Sequence, residues 1–258
     1  MISKQHVKRK RNRQARGPVV LYLLVSVLAL VFVAPGGIIA QGGQWQEVFP
    51  NTTPAPRFGH TMVAIDGNVY FFGGLVKSTD IAGRSRMQPN PENDLWEYDD
   101  AVNDWSEVLP AGPPPGRHGH AAAVDQDGKM VIHGGKDALG QPKSDLWEFN
   151  TEVNNWSEVF AQGSARPARA NHSMVATADG KIVAMGGMNN VGQPLADVYI
   201  YDTVASSWTK GADFPGGLGE GYGASAATVG NEMKVMGTSN NVYSYDLTTD
   251  SGQSRRYR

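Results

Sequence analysis

The chain has 258 residues, 31 of them glycine and none cysteine, with 23 Lys and Arg against 25 Asp and Glu. The lack of cysteine excludes disulfides, thiolate nucleophiles and Cys-based zinc sites, and a chain of this size can bury enough apolar surface to fold without covalent staples. Seven of the basic residues fall within the first 17, so the rest holds 16 basic against 25 acidic residues, a poor balance for binding nucleic acid.

In chain order, Lys4, Lys8, Arg9, Lys10, Arg11, Arg13 and Arg16 precede an apolar run from Val19 to Ala34. That run is shorter than the roughly 20 residues a spanning helix needs, and Pro35-Gly36-Gly37 breaks it ahead of a small-residue cleavage point at Ala40-Gln41. Residues 1–40 therefore read as an export signal. It is either cleaved or kept as an anchor with its basic end in the cytoplasm, and both place the body outside the cytoplasm. Membrane contact is expected only through such an anchor.

The body, residues 41–250, is organised by a double glycine at Gly73-Gly74, Gly134-Gly135 and Gly186-Gly187, with a decayed copy at Gly237-Thr238. Spacings of 61, 52 and 51 residues mean one supersecondary unit copied along the chain. Thirteen or fourteen residues before each pair stands a histidine, within Arg57-Phe58-Gly59-His60, Arg117-His118-Gly119-His120 and Arg169-Ala170-Asn171-His172. Short apolar stretches such as Thr61 to Ile65 and Asn68 to Phe72 flank Asp66-Gly67, and Asp127-Gly128 and Asp179-Gly180 repeat that turn signal, so hairpins are predicted. Beyond the glycines come Asp94-Leu95-Trp96-Glu97-Tyr98, Asp145-Leu146-Trp147-Glu148-Phe149 and Asp197-Val198-Tyr199-Ile200-Tyr201. Trp105, Trp156 and Trp208 close the units.

These marks resemble the kelch repeat, over roughly residues 45 to 247. The resemblance implies an all-β fold, a β-propeller of four-stranded blades like those of the galactose-oxidase type. The physical reading agrees, because small twisted sheets with two faces to bury cover one another when packed radially. Kelch propellers usually close with six or seven blades, whereas four hairpins are visible here. An incomplete propeller is expected, with an exposed blade face and self-association, against a closed ring of four in which Gln44-Trp45-Gln46-Glu47-Val48 supplies the outer strand of the last blade. Residues 251–258 read as an unstructured polar tail.

The repeated His60, His120 and His172 are expected to be structural rather than metal ligands, and no metal or cofactor is expected. The copper oxidases that resemble this family need a crosslinked Cys-Tyr pair, which this chain cannot form. Arg57, Arg117 and Arg169 are expected to tie blades together through Asp94, Asp145 and Asp197, with an anion-binding ring as the alternative. Of the sequons at Asn51, Asn155 and Asn171, the last two overlap the repeat's own structural residues and Pro54 follows the first, so all read as chance.

Function in a repeat protein sits where copies differ. The loop Leu75 to Asn93 has about nineteen residues against about nine in its equivalents. Lys77, Asp80, Arg84 and Arg86 there, with Lys136, Asp137 and Lys143 in the next unit, form the expected recognition surface. The expected function is noncatalytic binding of a protein or glycan. The alternative is a carbohydrate-active enzyme resembling sialic-acid mutarotases or epimerases, with Glu220 and the repeat arginines as candidate groups.

Overall fold

The computed structural model describes residues 47–79, 85–87, 90–214, 223–237, 242–248 and 251–255. The basic leader, the apolar run and Trp45 lie outside the described residues. The body is all β, in four consecutive sheets that are antiparallel apart from one short parallel strand.

Blade 1 contains β1 (Arg57–Phe58), β2 (Thr61–Ile65), β3 (Asn68–Thr79), β4 (Ser85–Met87), β5 (Glu92–Asp99) and β6 (Asp104–Val108). Blade 2 contains β7 (Ala121–Val124), β8 (Met130–His133), β9 (Leu146–Asn150) and β10 (Asn155–Glu158). Blade 3 contains β11 (Gln162–Gly163), β12 (Ser173–Ala176), β13 (Lys181–Met185), β14 (Val198–Asp202) and β15 (Ser207–Lys210). Blade 4 contains β16 (Ser225–Val229), β17 (Glu232–Met236), β18 (Val242–Asp246) and β19 (Ser251–Arg255).

The first hairpin shows why the sequence folds this way. β2 pairs with β3 from Thr61↔Phe72 to Ile65↔Asn68 across the two-residue turn Asp66-Gly67. Both turn residues have positive φ, 51° and 90°, which matches the right-handed twist of the strands they join and which Asp and Gly tolerate. β3 then runs past the expected Phe72 through Gly73-Gly74 to Thr79, with a register shift against β5 between Phe72 and Gly74. The paired glycines are thus a bulge that bends the strand outward.

The last element differs from expectation. Ser251–Arg255, expected as part of an unstructured tail, forms β19 and pairs along the whole of β18, from Val242↔Arg255 to Asp246↔Ser251. Blade 4 therefore has its own outer strand; most of Gln44 to Val48, the segment considered for that place, lies outside the described residues. The connectors are also ordered, since Ala111 and β11 lie parallel to the outer strands of the following blades, at Asn155 and β15.

Each junction between neighbouring blades is a hydrophobic core. Tyr70, Phe72 and Leu95 of blade 1 pack on Met130, Phe149 and Trp156 of blade 2. Val131 and Leu146 meet Ile182, Tyr201 and Trp208 of blade 3, and Val183 and Met185 meet Met233, Val235 and Tyr243 of blade 4. Among the described residues no such core joins blade 4 to blade 1, so the four blades form an open arc. A backbone series runs along its inner side: Gly119 N–H donates to Gly59 C=O, Asn171 N–H to Gly119 C=O, and Gly223 N–H to Asn171 C=O.

Candidate interaction site

The polar repeat residues hold the site but are not free to act in it. Arg117 donates from Nη1 and Nη2 to the two oxygens of Asp145 at 2.7 and 2.8 Å, and from Nη1 to Gly134 C=O at 3.0 Å. Trp147 Nε1–H donates to the same carboxylate at 2.8 Å. Arg169 grips Asp197 and Gly186 C=O in the same two-pronged way, and Arg57 reaches one oxygen of Asp94 and Gly73 C=O from Nη1. The backbone of Arg117 is bonded to blade 1, through Gly74 N–H and Glu92 C=O, while its side chain grips blade 2. Arg117 and Arg169 therefore staple successive blades, whereas the bonds described for Arg57, expected to do the same, lie within blade 1 and the segment before it; each guanidinium already holds a carboxylate. Burial works to raise the Asp145 pKa, but the hydrogen bonds and charge of Arg117 prevail and hold it below the ordinary value.

The histidines are spacers between glycine pairs. A β-carbon on Gly135 would stand 2.8 Å from His120 Cβ, and one on Gly73 would stand 3.3 Å from His120 Cε1. His120 therefore wedges between the double glycines of blades 1 and 2, and His172 does the same between blades 2 and 3. Burial, then Arg117, pushes His120 down to about 3, and burial lowers His172 well below the imidazole range. Among the described residues no cluster of three potential ligands converges on a metal position.

His133 was not singled out as functional, and the structure gives it a distinct setting. It occupies the place of Phe72 in the preceding blade. Arg166 Nε–H donates to His133 Nε2 at 3.2 Å, which leaves the His133 proton on Nδ1 to be donated to His172 Nε2 at 3.0 Å. Arg166 also lies over Trp208, 4.6 Å from the ring centroid. Burial, then His172 and Arg166, lowers the His133 pKa well below 6.5. The signal in the sequence was the break in an otherwise apolar position of the repeat.

The loops at the Gly-Gly end carry what the repeat does not use. Lys77 is exposed on β3, whose N–H at that residue bonds Pro56 C=O. Arg86 lies on β4 opposite Ser78, and Asp80 and Arg84 lie outside the described residues, as does Glu220. The expected nineteen-residue loop is thus partly a hairpin of β3 with β4. In blade 2 the structure brings Asp137 and Lys143 together at 2.6 Å and turns both inward on their own loop. The Asp137 carboxylate also accepts from Leu139 N–H and Gln141 N–H at 2.9 Å, and the Lys143 bond leads in lowering its pKa. Lys136 is half-buried and pairs with His118 near the inner end of the blade.

Asn189 repeats the Asp137 bracing, accepting from Val191 N–H and Gln193 N–H, and Gly140 and Gly192 turn the two loops with positive φ. The same fold of loop on adjacent blades lifts an apolar side chain to each tip: Leu139 is 83% exposed and Val191 70%. Neither was expected from sequence, because polar loop composition drew attention to the charges.

The model of the KLHDC2/KLHL20/DRC7 Kelch-repeats domain matches residues 40–176 and again 81–254. The chain belongs to the kelch-repeat family. Curated relatives include Tip elongation aberrant protein 3 of Schizosaccharomyces pombe, 31% identical over 62% of this chain and 16% of that protein. Adagio protein 3 of Arabidopsis thaliana is 31% identical over 59% of this chain and 24% of its own length. The Leucine-zipper-like transcriptional regulator 1 homolog of Drosophila melanogaster is 34% identical over 52% and 13%. The chain thus spans less than a third of the length of each of these relatives. Kelch propellers generally serve as noncatalytic modules that bind protein partners.

Proposed function

We propose that this kelch propeller is an exported, noncatalytic module that binds a protein partner through the loops at its Gly-Gly end. One observation carries the reading: the charged repeat residues are spent on holding the blades, while two identically braced loops on adjacent blades present Leu139 and Val191 to solvent. Braced loops lose little entropy on binding, and paired apolar tips supply contact area that surface lysines do not. Lys77, exposed on β3, adds a charge at the Gly-Gly end of blade 1. Export rests on the basic residues 4–16 and the apolar run to Ala34.

A photo-crosslinking residue placed at Leu139 or at Val191 tests the site in the full chain, with Val153 in an opposite-end turn as control. The expected result is the same discrete protein adduct from positions 139 and 191 and none from 153. Equal labelling at all three, or capture of glycans alone, contradicts the reading. Mass spectrometry of the exported product, expected to begin at Gln41, tests the signal separately.

A further inference from the structure

Beside the Leu139 loop, blade 2 carries a groove of about 380 Å³ lined by Pro115, Asp137, Lys143, Ser144, Trp147 and Glu158, next to the Arg117–Asp145 pair. Loop and groove share a wall: Asp137 braces Leu139 N–H, and Lys143 closes on Asp137 at 2.6 Å. Arg117 holds Asp145 at 2.7 Å, so four of the five charged groups in the lining cancel in pairs. The fifth is Glu158. It is exposed, and among the described residues it has no hydrogen-bond or ion-pair partner.

Glu158 lies directly opposite Trp147 on the paired strands β10 and β9, so the two side chains stand on one face of the sheet with Cβ atoms about 5 Å apart. Trp147 is half-buried and packs on the core between blades 1 and 2. Its Nε1–H is bonded to Asp145, so what it presents to the groove is the ring. The fold does not require this pair. In blade 3 the same two positions hold Tyr199 and Lys210, with the Tyr199 hydroxyl donating to Ala165 C=O and Lys210 paired with Asp213 at 2.9 Å. Blade 1 repeats the pair as Trp96 and Glu107, but there Phe71 is stacked on the Trp96 ring.

We propose that the groove receives an arginine side chain of the protein partner, its guanidinium stacked on the Trp147 ring and forked onto the Glu158 carboxylate. The inference rests on the protein-binding reading above and names what the partner brings to that site. An aromatic face beside a carboxylate selects a planar cation: guanidinium stacks on indole and donates two parallel hydrogen bonds, whereas an ammonium is a compact point charge that cannot do both in one plane. An acidic side chain would find no free cation, because Arg117 and Lys143 are already paired and Glu158 would repel it. The excess of acidic over basic residues beyond residue 17 also steers a basic segment toward the body.

Titration of the full chain with the tripeptide acetyl-Gly-Arg-Gly-amide, followed by NMR at the Trp147 indole N–H, tests the groove without the partner. The expected result is a saturable shift with the arginine peptide, weaker binding with lysine in its place, and no shift with glutamate. Glu158→Gln, at an exposed position that bonds nothing in its own blade, should raise the dissociation constant about 10-fold. Glu107→Gln, the same change in blade 1, should leave it unchanged. No shift with the arginine peptide, equal binding of the lysine or glutamate peptide, or undiminished binding by Glu158→Gln overturns the proposal. If positions 139 and 191 still give one shared adduct, such a result removes the arginine alone and leaves the partner site standing. Arginine binding without a shared adduct supports the groove's preference and removes the partner reading.

Discussion

Replacing Trp156 by alanine, beside the same change at Trp105, measures how much each blade junction contributes. The two residues hold the same place in successive blades, but Trp156 is 3% exposed against Phe72 and Phe149, whereas Trp105 lies half-buried on the open face. A tryptophan buries about 150–250 Å², which at ~25 cal/mol per Å² gives an upper figure of about 4–6 kcal/mol. Truncation of a buried aromatic costs roughly 3–5 kcal/mol, so about 4 kcal/mol is expected for Trp156→Ala. Trp105→Ala removes only the contacts to Phe71 and Tyr98 within one blade, and about half that loss is expected. Thermal unfolding followed by circular dichroism, at a dilution where copies are separate, should show Tm lowered by about 8–16 °C for Trp156→Ala and by about half as much for Trp105→Ala. Equal losses at the two positions would refute the assignment of Trp105 to an uncovered face.

Three further outcomes follow from the junction chemistry. Gly135→Ala, at φ 87° with a β-carbon 2.8 Å from His120 Cβ, should cost several kcal/mol, while Gly128→Ala, also at positive φ but with open space around it, should cost about 1 kcal/mol; urea titration compares them. Asp145→Ala leaves the buried Arg117 guanidinium without its carboxylate and should cost about 3–5 kcal/mol by the same assay. Stability should fall on acidification: His120, His133 and His172 all have folded pKa values below the unfolded 6.5, so the unfolded chain binds the extra protons and the loss begins as pH drops below about 6.5 and continues toward the folded values, about 3 for His120. His133→Phe, which restores the residue type of blade 1, should reduce the slope by about 1.4 kcal/mol per pH unit; an unchanged slope would show that His133 is not held neutral.

The parts of the fold legible in the sequence are those the repeat copies. Gly-Gly marks a bulge at positive φ, Asp66-Gly67 a tight hairpin, and the Arg–Asp spacing a bidentate pair, because in each case few residue types satisfy the local geometry. β19 was not legible, since Ser251–Arg255 has no apolar alternation and takes strand form through its backbone pairing with β18. The same holds for β4, where Ser85–Met87 is held by register with β3. Loop variation drew the reading to the Gly-Gly end, where charge composition favoured Asp137 and Lys143; the structure shows these two bonded to each other and leaves Leu139 and Val191 exposed beside them. Sequence patterns report residue type and spacing, and which of two neighbouring loop residues is spent on bracing is decided by backbone direction.

Amide hydrogen exchange along the inner backbone series tests most directly that the four blades share only three junctions among the described residues. In separated copies, the N–H groups of Gly119, Asn171 and Gly223 should be protected by their bonds to the preceding blade, while that of Gly59 exchanges freely. Protection of Gly59 equal to that of Gly119 in a single copy would mean that blade 4 closes on blade 1, and would contradict the open arc.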